Sequence, residues 1–148
     1  MRIRVSTVIA ASPAEVWDAI EDITTHTEWM RDAESIEFLT HRTRGVDTTF
    51  VCVTRIGPFH TRDVLTITEW SPRRVMGIAH EGVVKGSGRF TLARRRGGNT
   101  KFTWRERLRF PLWMGGPLGA LAAQPILRHV WKTNLRTLRA RIEGNATL

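Results

Sequence analysis

The sequence is poor in cysteine. Cys52 is the only one, so an internal disulfide is excluded and nothing requires an oxidising compartment. The sequence also lacks a cysteine and histidine cluster with metal-ligand spacing and a glycine-rich phosphate loop. Gly86-Ser87-Gly88 is not a nucleophile elbow, because no strand-to-helix turn surrounds it. We therefore expect no metal or other cofactor and no covalent serine chemistry, and we interpret Cys52 as a small core residue.

Long uninterrupted apolar segments are absent as well. Residues 1–6 alternate polar and apolar side chains and do not form the apolar run of a signal peptide. Residues 110–127 carry no charge over nearly the length of a membrane-spanning helix, but glycines and prolines interrupt them. We therefore expect a cytoplasmic protein with no membrane span, in which residues 110–127 form an apolar flap.

Lysine is scarce, whereas arginine is abundant. The chain has 23 basic and 14 acidic residues, a formal net charge of +9, but only Lys85, Lys101 and Lys132 are lysines. Genomic base composition explains such an arginine bias as readily as function does. The charge indicates an anionic partner if there is one, and it gives no information on the fold.

The length and composition are those of one ordinary domain. The chain has 148 residues, of which 41% are hydrophobic and 25% charged, so wholesale disorder is excluded. Neither a repeat nor a low-complexity tract is found. We therefore treat residues 1–148 as a single domain.

The N-terminal part predicts a strand followed by two short helices. Polar and apolar residues alternate over 2–10, the period of a half-buried strand. Ser12-Pro13-Ala14-Glu15 then combines an N-cap serine, a first-turn proline and a capping-box glutamate. Thr25-His26-Thr27-Glu28 repeats this start signal and predicts the second helix.

The middle of the chain predicts a meander of six antiparallel strands. Stretches rich in valine, isoleucine, threonine, phenylalanine and tryptophan alternate with short turn-forming segments. These stretches are 34–42, 47–56, 59–70, 73–81, 85–95 and 100–110. On the last of them, one face carries Lys101, Thr103, Arg105, Arg107 and Arg109 and the other Phe102, Trp104, Glu106, Leu108 and Phe110. The first face is predicted to be exposed to solvent and the second to be buried.

The C-terminal part predicts a long amphipathic helix. Apolar residues recur every three or four positions from Gln124 to Glu143, and Gly144 is a suitable stop. About 20 residues give a rod of roughly 30 Å, enough to cross a sheet. Pro125 predicts a break or kink, with a separate shorter helix over 117–123 before it.

This order of elements resembles the helix-grip fold of the START-like superfamily, and within it the polyketide cyclase/dehydrase family. The residues that carry the resemblance are 8–17, 69–74 and 134–139. It implies an α+β fold in which a curved seven-strand antiparallel sheet wraps around the long C-terminal helix, with two short helices after strand 1. It also implies that 1–148 is a START-like domain and that an elongated apolar cavity lies between sheet and helix.

Physical reasoning agrees with such a cavity, since one helix cannot fill the concave side of a strongly curved sheet. The leading hypothesis is therefore binding or transport of a hydrophobic small molecule, such as a lipid, a polyketide or a polycyclic compound. The alternative is a polyketide cyclase or aromatase that performs a dehydrating cyclisation on a carrier-bound poly-β-ketone.

Glu106 is the first candidate for a functional residue. It is the only acid on the otherwise apolar face of the last strand, so it must be paired, protonated or in contact with a polar ligand. Three roles stay open: a structural pair with a buried arginine or histidine, a ligand contact, or general acid–base catalysis.

His80 is the second candidate. If it alternates with Met76 and Ile78, it faces the cavity, where its ordinary pKa suits proton transfer. A register slip of one residue would turn it to solvent. In an enzyme, Glu106 and His80 would be the catalytic pair.

Further candidate ligand contacts are less specific. Asn134 either presents its amide to the cavity or is a satisfied core amide. Gly86 and Gly88 either leave room for ligand or let the sheet curl. Large apolar side chains suit a flat ligand, although core packing is the alternative for each. They are Trp29, Trp104, Phe110, Trp113, Met114 and Trp131.

The arginines of the last hairpin suggest a partner. Either they form a solvated strand face or they dock an acidic carrier protein, as polyketide chemistry would require. These arginines are at 89, 94, 95, 96, 105, 107 and 109. Nucleic acid is not expected, because the aromatic residues fall on the opposite face. The sequence does not distinguish a monomer from a homodimer.

Overall fold

Seven antiparallel strands and one long helix make up most of the described chain. The computed structural model describes residues 1–146, and the side chains of residues 1–144. The strands are β1 (Arg2–Ile9), β2 (Ala33–Phe38), β3 (Thr49–Ile56), β4 (Phe59–Ser71), β5 (Val75–Glu81), β6 (Lys85–Arg94) and β7 (Thr100–Arg109). The α-helices are α1 (Pro13–Ile20), α2 (His26–Trp29) and α3 (Gly116–Ala146), and 3₁₀ turns lie at Ile23–Thr25, Arg96–Gly98 and Leu112–Met114. The predicted α+β helix-grip fold is confirmed.

The strands form one open sheet in the order β1-β7-β6-β5-β4-β3-β2, and each neighbouring pair is antiparallel. Strands β2 to β7 are therefore a meander, and β1 completes the sheet beside β7. Strand β2 ends at Phe38 instead of residue 42. The chain turns before β3, where Gly45 and Asp47 both adopt positive φ, a conformation that strands do not use.

Both predicted short helices are present, and the side-chain cap predicted for the first is formed, whereas the one predicted for the second is not. The Ser12 side chain accepts a hydrogen bond from the Glu15 backbone N–H at 3.2 Å, and Pro13 begins α1. Thr25 already has helical dihedral angles and its side chain does not cap α2. The cap lies earlier, since Asp22 accepts from the Thr24 N–H at 3.1 Å and starts the 3₁₀ turn that leads into α2.

Helix α3 is longer than predicted. It passes through Pro125 without a break, so the separate helix over 117–123 is wrong, and it extends beyond Gly144. A proline inside a helix removes one hydrogen bond and costs about 3 kcal/mol. Packing on both sides of Pro125 offsets this cost, because Ala120 before it and Trp131 after it are buried.

The helix lies along the edge strand β1. The Gln124 and Arg128 side chains donate to the carbonyl oxygens of Arg2 and Arg4 at 3.4 and 3.2 Å, which covers hydrogen-bonding groups of an otherwise unpaired edge. Farther along α3, apolar side chains join the core formed with the sheet and α1: Trp131, Leu135, Leu138 and Ile142. No helix in the described part of the chain has the length and apolarity needed to cross a membrane.

Candidate functional site

A cavity of about 660 Å³ lies between the inner face of the sheet and the first half of α3. Its wall is mainly apolar and includes Phe50, Leu65, Ile67, Ile78, Leu108 and Leu127. The side chains of the core therefore do not fill the space between sheet and helix. Such a cavity is expected where a single helix packs against a seven-strand sheet.

Glu106 forms a polar cluster on this wall, which we call the Glu106 cluster, with His80 and Trp104. The carboxylate is 5% exposed. Its Oε2 lies 2.9 Å from His80 Nε2, and its Oε1 accepts a hydrogen bond from Trp104 Nε1 at 2.9 Å. Both carboxylate oxygens thus have partners in a largely apolar surrounding. The predicted register of β5 places His80 on the cavity side, as its contact with Glu106 requires.

The Glu106 cluster spans three strands because the middle strand has no side chains there. Strand β6 lies between His80 on β5 and Glu106 on β7, and it places Gly86 opposite His80 and Gly88 opposite Glu106. A Cβ atom at position 88 would lie 2.7 Å from Glu106 Cδ. Gly88 therefore leaves room for a protein carboxylate, a role that the sequence pattern did not indicate.

The electrostatics of the Glu106 cluster favour a protonated histidine. Burial lowers the pKa of His80, but the hydrogen bond and charge of Glu106, with the charge of Asp63, outweigh burial and raise it above 6.5. His80 Nδ1 has no protein partner among the described residues. The cluster can therefore present one N–H donor to a ligand while Glu106 balances the charge.

A second histidine on the cavity wall behaves in the opposite way. His26 is buried, and its ring Nε2 donates to the Ile20 carbonyl oxygen at 2.7 Å, which fixes a neutral tautomer. Burial lowers the pKa of His26 to about 4, against smaller raising effects of the Ile20 bond and Asp22. Nothing in the sequence pattern marks His26, since it lies in a one-turn helix without clear periodicity.

We predict that these two histidines give stability a maximum near pH 6.5. His80 has a raised folded-state pKa, so its contribution is complete below 6.5 and is lost as the pH rises through that pKa. His26 has a lowered pKa, so its contribution is complete above 6.5 and is lost as the pH falls towards about 4. Urea unfolding from pH 5 to 9 checks this. His80→Gln should remove the alkaline decline and His26→Gln the acidic one, and identical profiles in all three proteins would contradict it.

The other predicted site residues divide into two groups. Trp104, Phe110, Trp113, Met114 and Trp131 line the cavity. Trp104 and Trp131 are stacked, with ring centroids 5.1 Å apart. Trp113 is 77% exposed on the 3₁₀ turn between β7 and α3, so it lies where the cavity meets solvent.

Trp29 and Asn134 do not line the cavity. Trp29 is 1% exposed and packs between Phe90 and Trp104 in the core. Asn134 is fully buried, and its amide oxygen accepts from the Arg31 N–H at 3.0 Å while its nitrogen donates to Asp32 Oδ1 at 2.7 Å. This geometry is that of the satisfied core amide, the alternative that the sequence had left open.

Several polar residues on the cavity wall were not among the candidates from the sequence. Asp63 lies on the inner face of β4, in the row that continues with Leu65 and Ile67, and that alternation was the available signal. Cys52 packs against the core but also lines the cavity, and burial raises the pKa of its thiol to about 11. Asp32 lines the cavity as well, and burial raises the pKa of its carboxyl group. Among the residues with described side chains, no group of three or more histidine, cysteine, aspartate or glutamate residues is arranged to hold a metal ion.

A comparison of the sequence with known protein families gives a result that agrees with the fold and the cavity. The family model described as "Polyketide cyclase / dehydrase and lipid transport" matches residues 1–143. The chain belongs to this family. No curated protein matches the sequence of this family member.

Solved structures with the same fold include proteins from several bacteria. A protein from Thermus thermophilus is 19% identical with a TM-score of 0.79, over 98% of this chain and 99% of that one. The Zhui aromatase/cyclase from Streptomyces sp. R1128 is 17% identical with a TM-score of 0.72, over 97% and 93%. A START superfamily protein from Mycobacterium smegmatis is 12% identical with a TM-score of 0.72, over 97% of each chain. At these identities the likeness shows the fold alone.

Proposed function

We propose that this family member binds and carries a hydrophobic small molecule between the sheet and α3. The observation that carries the proposal is the mainly apolar cavity of about 660 Å³ with a few polar groups on its wall, among them the Glu106 cluster. Ligand sites of proteins are mostly apolar, occupy about 300–1,000 Å³ and contain a few polar groups that orient the ligand. Burial of the ligand's apolar surface drives binding, at about 25 cal/mol per Å² before the costs of association.

In this proposal the Glu106 cluster orients the ligand and aromatic side chains surround it. His80 Nδ1 donates to a ligand oxygen, and the stacked Trp104 and Trp131 offer a flat apolar surface. Phe110 lies beside the cavity, and Trp113 and Met114 lie on the turn before α3, where ligand enters. A cytoplasmic location remains a prediction from the sequence.

Fluorescence titration with N-phenyl-1-naphthylamine, a neutral apolar dye, tests the proposal. We expect saturable uptake by the folded protein, with a blue shift of the dye emission, and displacement by other neutral apolar compounds. The control is the same titration in urea, where the cavity no longer exists. No uptake by the folded protein, or equal uptake in urea, would show that the cavity does not bind apolar molecules.

An enzymatic function is a second candidate, because His80 and Glu106 are in direct contact within the cavity. Such a pair can move a proton between ligand atoms, as a dehydrating cyclisation of a poly-β-ketone requires. The test is Glu106→Gln assayed with a carrier-bound poly-β-ketone. If Glu106 is the catalytic acid or base, turnover is lost while dye binding stays, and unchanged turnover would exclude that role.

An acidic carrier protein as partner is a proposal that rests on the outer face of the sheet. Arg105 lies opposite Arg4 and Arg107 lies opposite Arg2, and all four side chains are exposed. Like charges directly opposite each other destabilise a sheet, and an acidic surface would relieve this repulsion. We expect binding of an acidic acyl carrier protein to weaken from about 0.05 to about 0.5 M NaCl. Arg105→Ala should weaken it too, whereas Arg136→Ala on α3 should not.

A further inference from the structure

A second polar position on the cavity wall lies outside the Glu106 cluster. Asp63 is 9% exposed, and its Oδ1 is buried without a hydrogen-bond partner. The other oxygen, Oδ2, accepts from Thr61 Oγ1 at 3.1 Å. Asp63 and Thr61 both line the cavity near the β3–β4 hairpin. A buried carboxylate oxygen without a partner costs free energy, so this acceptor needs an explanation.

The protein around Asp63 does not supply the missing donor. Cys52 lies opposite Asp63 on β3, but its thiol is directed to Val53 and Thr54. On the other side, Gly82 has no side chain, and a Cβ atom there would collide with Asp63 Oδ1. The residues beside Asp63 thus have small side chains or none, and only one of its two carboxylate oxygens accepts a hydrogen bond.

Acidic side chains outnumber arginine and lysine on the cavity wall, although the chain as a whole is basic. The protein has a net charge of +9, yet three carboxylates line the cavity: Asp32, Asp63 and Glu106. The matching cations are few. His80 is already paired with Glu106, and the exposed guanidinium of Arg89 is bonded to Glu69 at 2.8 Å. The surroundings of Asp63 therefore favour a hydrogen-bond donor or a positive charge and disfavour an anion.

We infer that Asp63, supported by Thr61, is a second anchor for the ligand and takes a hydrogen-bond donor, either a hydroxyl or a protonated amine. Rotation about the Cβ–Cγ bond, a broad two-fold torsion, turns a carboxylate oxygen to that donor. The inference rests on the proposed function and deepens it by naming the ligand class, a hydrophobic amine or alcohol. A free carboxylic acid would place an anion beside Asp63, so we do not expect it to be the preferred ligand.

Displacement of bound N-phenyl-1-naphthylamine at pH 7 by decylamine, 1-decanol and decanoate tests this inference, because the three probes differ only in the polar end. We expect the amine or the alcohol to displace the dye at a concentration about 10-fold lower than decanoate does. The amine and alcohol arms show which donor is preferred. In Asp63→Asn the advantage over decanoate should fall to about 3-fold or less, since the negative charge is gone.

Glu37→Gln is the matched control, because Glu37 is an exposed acid on β2 outside the cavity. It removes the same charge and should leave the ranking unchanged. Equal or tighter binding of decanoate by the unaltered protein overturns the inference, whether or not Asp63→Asn folds. An unchanged ranking in folded Asp63→Asn overturns it too. Dye binding separates the two proposals: if the dye binds and only the ranking fails, the cavity function stands, and if the dye does not bind, both are wrong.

Discussion

Replacing Gly88 by alanine is expected to lower the free energy of unfolding by about 2–3 kcal/mol. The added methyl group would collide with the Glu106 carboxylate, whose Cδ lies 2.7 Å from the Cβ position. The carboxylate must then move away from His80 and Trp104, which leaves a buried charge without its partners. Urea unfolding measures the loss. Nuclear magnetic resonance titration should also show a lower pKa for His80, because burial persists while the bond to Glu106 is lost.

Gly77→Ala is the matched control for this prediction. Gly77 lies in the neighbouring strand β5, and a Cβ atom there would approach the side chain of Glu69 at 3.1 Å. These contacts require a shift of only a few tenths of an ångström, and the rest of the Glu69 side chain is exposed, so we expect a cost below about 1 kcal/mol. Equal losses in both variants, with an unchanged titration of His80, would show that Gly88 matters as a strand glycine and not through Glu106.

Replacing Ala123 by tryptophan is expected to weaken dye binding by about 100-fold, equivalent to about 2.8 kcal/mol. Ala123 lines the cavity from α3, so an indole at this position occupies space that the ligand needs. The fold should tolerate the change, because the new side chain fills a hollow instead of displacing packed atoms. The measurement is the N-phenyl-1-naphthylamine titration, with the thermal midpoint as a check of folding.

Ala140→Trp supplies the comparison, since Ala140 lies on the same helix with an exposed side chain. It adds the same indole without entering the cavity, so the affinity should stay within about 3-fold of the original. Equal affinity in the Ala123 and Ala140 variants would place the dye elsewhere on the protein.

Most of the fold could be predicted from the sequence because it depends on local signals. Alternation on β7 separates Arg105 and Arg107 from Trp104 and Glu106, and the structure exposes the first pair and buries the second. The Ser12 cap likewise depends on neighbouring residues. The errors arose where tertiary packing prevails, as at Pro125, whose helix-breaking tendency is overcome by the buried residues on both sides.

The candidate site could be predicted only in part, since it depends on contacts between distant residues. The sequence marks Glu106 as an unusual acid, and alternation suggests the direction of His80. Their contact across β6 can be predicted only when the register of three strands is known, and the same holds for the role of Gly88. Asp63 was missed because one acid in a polar strand is not unusual until burial is known. Asn134 was assigned two possible environments, and only the packing of α3 against the segment before β2 shows that its amide is bonded there.

The most direct test of a ligand-filled cavity is the detection of nuclear Overhauser effects between bound N-phenyl-1-naphthylamine and assigned methyl groups. We predict contacts with Leu65, Ile78 and Leu108, which line the cavity from three different strands. Contacts confined to Leu118 and Leu121, which are exposed on α3, would contradict this prediction and show that the dye adheres to the surface.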